Sequence, residues 1–291
     1  NDENTFVQRN CTHIKSFVHD LLNIQEGDVF FGSSIQQLIM NLSHNIPIET
    51  YEEVIISSCL KDSYFKHFKN KSKYVKVWKS IKYAYHYNDL FDLITPKTSM
   101  LILPHISHIT GYIFDIQYIS EYAKLQNSNI KIIVDGSLYI QYHIVDVSYI
   151  NVDYYFSSFI GTRIAFVYIK DLNKICDIEI DNFEYNLMGV LGVCDYIKDV
   201  TMEDILNRKS IESYYSIIEN HRGELYMIFL KYMGKYDNLF EVIRDTSFFS
   251  KHIPIFSLKC KVYDVEYIHH ILEEFGYKTK CPLWGPSSFA M

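Results

Sequence analysis

The chain reads as an α/β protein, with a mainly parallel sheet covered by helices on both faces and a smaller C-terminal α+β domain. Three observations predict this. Near-continuous apolar strands such as "SMLILPH" and "NIKIIVDGS" alternate with helical stretches through the first two thirds. Strands buried on both faces lose the in–out alternation of a half-exposed sheet, which points to parallel strands under helices. Beyond about Cys176 helical stretches dominate. The 291 residues, 48% of them hydrophobic and 22% charged, suffice for a large core. The expected division is a large domain over 1–180 and a small one over 181–291.

In chain order, "DVFFGSS" is a strand running into a Gly-Ser turn, and "IQQLIMNLSHN" spaces its apolar residues at three and four, as a helix does. "EEVIISS" is a β-branched strand, "NDLFDLIT" a helical turn or two, and "SMLILPH" a buried strand. "DIQYISEYAKLQ" places Ile116, Ile119, Tyr122 and Ala123 on one helical face, and "NIKIIVDGS" follows as a strand. "DYYFSSF" and "RIAFVYIK" read as two buried strands around a break. In the last third, "LMGVLGVCDYIKDV" and "RKSIESYYSIIENHRGELYMIFLKYM" are helical, "IPIFSLKCKV" is a strand, and "DVEYIHHILEEFGY" is a helix closing on Gly276.

Composition narrows the function classes. A formal charge of −7 argues against a general nucleic-acid binder. Six cysteines are scattered without a C-x-x-C pair, which fits a reducing, cytoplasmic setting. No apolar run approaches the ~20 residues needed to span a bilayer, so no membrane association is expected. The stretch "KHFKNKSKYVKVWKSIK" mixes lysines with aromatics but reads as a solvated face on an acidic protein. His105 and His108 have no Cys or acidic partner at ligand spacing, so no metal site is expected. His269 and His270 lie on a polar helix and read as solvated.

Several strand ends carry polar residues. Gly32, Ser33 and Ser34 open onto a helix, where free N–H groups and hydroxyls suit an anion. They also serve as an ordinary helix cap. His105 ends one strand, Asp135 the next, and Ser157 and Ser158 a third. A carboxylate at a buried strand end needs a partner, although Asp-Gly is also a common turn dipeptide. In a parallel sheet such ends face one rim, where ligands bind.

The collinear pieces "GSS", "PHISHITG", "VDGSL", "DYYFSSF" and "RIAFVYIK" resemble the class V aminotransferase and cysteine desulfurase family, within the type I fold of pyridoxal phosphate (PLP) enzymes. The resemblance covers most of the chain. It implies PLP as cofactor, a small amino-acid substrate and a homodimer. It also implies that Asp135 pairs with the pyridine nitrogen, that His105 stacks on the ring, and that Ser33, Ser34 and Ser158 hold the phosphate. Thr162 would reach the phosphate of the neighbouring subunit, and Lys280 would stand near the place of the carboxylate-binding arginine. Cys281 is a weak candidate for a desulfurase-like nucleophile.

Three departures set this sequence apart, one of them Lys280 in place of the arginine. The lysine that should follow Ser158 and hold the cofactor aldehyde is missing, and "IGTRIAFVYIK" follows Phe159 directly. Lys170 lies at the far end of the next strand, at roughly 3.3 Å per residue. Leu138 stands where the family has a Gln or His. Two readings stay open: a PLP-dependent transferase whose loop lies outside the sequence, and an inactive relative that keeps the fold for binding or assembly. A third, a nucleotide-binding protein using "FFGSS", lacks a G-x-G-x-x-G pattern.

Overall fold

In the computed structural model, which describes residues 2–46, 48–81, 84–159, 161–174, 187–243 and 252–277, the alternating strands and helices build one seven-stranded sheet. Its part of the chain runs α1 (Asp2–Leu22), β1 (Asp28–Gly32), α2 (Ile35–Asn45), β2 (Glu53–Ser57), α3 (Asp62–Lys69), β3 (Tyr74–Trp78), α4 (Tyr87–Phe91) and β4 (Thr98–Pro104). It continues with α5 (Ile116–Gln126), β5 (Lys131–Asp135), β6 (Tyr154–Phe159) and β7 (Ile164–Ile169). After these come α6 (Leu187–Thr201), α7 (Arg208–Met233), β8 (Phe240–Ile243), β9 (Ser257–Cys260) and α8 (Val265–Glu274).

The strand order is β1-β7-β6-β5-β4-β2-β3. Pairing is parallel from β6 through β5, β4 and β2 to β3, while β7 is antiparallel to both of its neighbours. All strands except β7 therefore point the same way, and their carboxyl ends share one rim. The expected mainly parallel sheet is the one found.

Each face of the sheet has its own core, and the pleat assigns residues to them by alternation. Leu101, Leu103, Ile132, Val134, Tyr155 and Phe166 pack with residues of α1, α4, α5 and α6. Met100, Ile102, Ile133, Phe156 and Val167 pack with α2 and α3. Both faces are apolar, so the strands read as continuous apolar runs.

The helices taken as the start of a small domain join the first of these cores, through Val190, Cys194 and Ile197 of α6 and Ile211 of α7. Arg208, in the first turn of α7, donates from Nη1 to the carbonyls of Asp20, Leu21 and Val145 at 2.8–3.0 Å. Two of these are last-turn carbonyls of α1, which have no partner within their own helix. Strands β8 and β9 form a separate antiparallel pair, and no described residue of α8 is buried.

Sequence patterns missed α1, α3, β3 and β8. The lysine-rich stretch contains the second half of α3 and the edge strand β3. Phe68 and Trp78 of that stretch are completely buried, and Phe65 just before it is buried too. Lysines on an exposed edge guard against unwanted pairing, and they also hide the strand's apolar signal.

Candidate active site

At the common rim, strand geometry collects the polar ends of β1, β4, β5 and β6. Ser34 caps α2, its Oγ accepting from the N–H of Gln37 at 3.2 Å. Gln37 returns the contact one residue earlier, where its Oε1 accepts from the Ser33 N–H at 2.9 Å and the Ser33 hydroxyl at 2.8 Å. This is close to a capping box, with the reciprocal bond displaced toward the chain entering the helix. Gly32 is needed there, because a Cβ would lie 2.8 Å from Leu38 Cδ2 and 3.1 Å from Gln37 Oε1.

His105 follows β4 directly and is only 4% exposed. Its Nδ1 shares a 2.9 Å hydrogen bond with the Tyr155 hydroxyl, and its ring lies flat on Tyr139, 3.5 Å between centroids and 3° between planes. Burial holds its pKa well below the ordinary histidine value, and neighbouring His143 pushes the same way. His143 is itself held down to about 4, by burial and then by Arg222. Arg222 Nη1 donates to His143 Nε2 at 2.6 Å, so the proton of neutral His143 sits on Nδ1.

Asp135 ends β5 and is 8% exposed. Its Oδ1 accepts from the Ser137 N–H at 3.0 Å and, in a shorter contact, from the Ser137 hydroxyl. Asp135 continues the face of Ile133 and Phe156, where Tyr64 of α3 lies. The Tyr64 hydroxyl is fully buried and lies beside Asp135. Burial, followed by the charge of Asp135, raises its pKa well above the ordinary phenol value. His108 is exposed at this rim, where it is influenced by Lys61 and Asp135.

His105 and Asp135 are thus neighbours along the rim, joined by a 2.8 Å bond from the His105 N–H to the Asp135 carbonyl. Their side chains, however, engage opposite faces of the sheet. His105 turns toward Tyr155 and Tyr139, and Asp135 toward the side of Tyr64.

Strands β6 and β7 pair to their last residues, Phe159 opposite Ile164, so only residues 160–163 connect them. The Thr162 N–H and hydroxyl both donate to the Phe159 carbonyl, and the hydroxyl accepts from the Ile164 N–H at 3.2 Å. Gly161 and Arg163 supply the left-handed conformations that the turn requires, at φ 81° and 55°.

A family model described as "Aminotransferase class-V" matches residues 4–174, more than half of the sequence. The chain belongs to this family. A solved NifS-like protein superposes with a TM-score of 0.74 at 13% identity, covering 94% of this chain and 76% of that one. The apo cysteine desulfurase from Thermococcus onnurineus NA1 gives 0.69 at 12% identity, over 93% of this chain and 73% of that one. A NifS-like protein from Rickettsia africae ESF-5 gives 0.69 at 12% identity, with 93% and 75% covered. At these identities the likeness establishes the fold, which is the type I fold of PLP-dependent enzymes. No curated protein matches the sequence.

The class V fold implies PLP, yet the residues present do not fit it. The loop between Phe159 and Ile164 holds no lysine. Lys170 lies at the opposite end of the sheet, paired with Glu26 at 2.8 Å. His105 has no open face on which a ring could stack. Ser33 is bonded to Gln37, and the buried Thr162 hydroxyl is used within its own turn. Ser158 is half-buried, on the strand face that also carries Phe156. Leu138 brings no polar atom to the rim. Lys280 and Cys281 fall outside the described residues.

Among the described residues, no group of three His, Cys, Asp or Glu side chains could hold a metal ion. No helix among them is long and apolar enough to cross a membrane.

Sequence reasoning missed Gln37, Tyr64, Tyr139, His143, Tyr155 and Arg222. For Tyr155 a signal existed: in "DYYFSSF", alternation sends it to the face opposite Tyr154 and Phe156. Arg222 arrives from α7 and had none.

Proposed function

We propose that this chain is a class V aminotransferase-fold protein that performs no Schiff-base chemistry and serves instead in binding or assembly. One observation carries the reading. The hairpin between β6 and β7 closes in four residues, Ile160 to Arg163, with strand pairing intact up to both ends. No lysine stands there to hold an aldehyde or move a substrate proton. The assembly that accompanies this reading is a homodimer in a reducing, cytosolic setting, which the buried thiols of Cys59 and Cys194 suit. Sedimentation of the purified chain tests the dimer.

The chemistry is tested by incubation with PLP, borohydride reduction and peptide mapping. The expected result is scattered, substoichiometric labelling of surface lysines. One stoichiometric adduct at a single lysine would overturn the reading. Lys61 is the position to inspect first, because its charge reaches His108 at the rim.

A further inference from the structure

We propose that the rim site is filled from within the chain, with Tyr139 as the plug that closes His105 to any phosphorylated aromatic ring. This deepens the proposed function and rests on the absence of Schiff-base chemistry. Three polar or stacking positions along the rim are all occupied from within the chain. Tyr139 covers His105 face to face at 3.5 Å. The Gln37 carbonyl oxygen takes both donors of Ser33, where a phosphate oxygen would bind. Ser137 donates twice to Asp135, on the opposite face of the sheet.

Of the three, Tyr139 is the decisive one. Ser33 lies at the surface, and a Gln side chain there can swing aside. Asp135 turns toward the side of Tyr64, away from His105. Tyr139 is pinned. The turn after β5 is wound by bonds from the Tyr139 and Ile140 N–H groups to the Gly136 carbonyl, at 2.9 and 3.1 Å. The His143 N–H closes the next turn on the Tyr139 carbonyl at 2.9 Å, and the His143 ring packs on Tyr139 at 4.9 Å. From α7, Arg222 holds His143 and the Tyr215 hydroxyl donates to the Ile140 carbonyl. Moving Tyr139 therefore means loosening the packing of α7 against the sheet's rim.

The probe is 4-deoxypyridoxine 5′-phosphate, which has the ring and phosphate of PLP but no aldehyde. Calorimetric titration of the wild type is expected to show no saturable binding up to about 1 mM, whereas Tyr139→Ala should bind at least about tenfold more tightly. One-to-one binding by the wild type would overturn the plug and leave the proposed function standing, since the probe cannot form a Schiff base. Failure of a folded Tyr139→Ala to bind would overturn it equally. Should Tyr139→Ala not fold, the wild type still decides by NMR. The His105 ring protons should carry the upfield shift of a stacked phenol and stay unmoved by the probe. Their movement on titration would reject the plug. A single borohydride-fixed PLP adduct, by contrast, would reject the proposed function itself.

Discussion

Replacing Gly136 with alanine would place a methyl group 2.0 Å from Tyr155 Cζ, 2.1 Å from its hydroxyl oxygen and 2.2 Å from Cε1. Ordinary contact begins near 3.4 Å, so the phenol must move by more than an ångström. Tyr155 is fully buried and bonded to His105, so its ring can move only by displacing packed neighbours. Overpacking of this kind costs about 1–3 kcal/mol. Breaking the bond to His105 leaves two buried polar groups unsatisfied, for about 1–3 kcal/mol more. A loss of about 2–6 kcal/mol is therefore expected, a large share of the ~5–15 kcal/mol that holds a typical domain together. Urea unfolding followed by far-UV circular dichroism should show a midpoint lowered by at least about 1 M. Tyr155→Phe should not rescue the variant, because the ring carbons at 2.0 and 2.2 Å remain. A smaller side chain at 155 should. A loss below about 1 kcal/mol would refute the close approach of Gly136 and Tyr155, and with it the account of how His105 is held.

At the opposite rim, Asp153 accepts from Lys131 at 2.9 Å and pairs with Lys124 at 3.2 Å. Asp153→Ala leaves both ammonium groups half-buried without a counter-charge and should cost about 3 kcal/mol, measured by the same unfolding assay. His143 is held at about 4 in the folded chain against an ordinary 6.5. The unfolded chain therefore takes up a proton that the folded one refuses, and stability should fall on the order of 2 kcal/mol from pH 7 to pH 5. Urea midpoints across that range should decline in the wild type and decline less in His143→Gln, with His105 adding to the slope in the same direction; parallel curves would contradict this. Arg208→Ala frees three carbonyls at the junction of α1 and α7. It should cost about 2–4 kcal/mol, with hydrogen exchange rising first in the last turn of α1.

The sequence by itself indicated the parallel sheet, because strands buried on both faces read as near-continuous apolar runs rather than alternating ones, as in "SMLILP" and "KIIVD". It also placed Ser34, His105, Asp135 and Ser158 at strand ends, and the sheet's common direction then put them on one rim. It showed the lysine to be missing from the β6–β7 connection, since that is a matter of residues present. Which face each rim side chain would take lay beyond it. His105 follows the last residue of β4, where the pleat no longer dictates direction, and the phenol of Tyr155, fifty residues away, settles its orientation. The plug is non-local too: Tyr139 is held by Arg222 and Tyr215, about eighty residues downstream on a helix whose position comes from core packing of Ile211 and from Arg208. Period and spacing record what a residue does to its own element. They carry no trace of which distant ring will stack on an imidazole, because that contact exists only once α7 has docked.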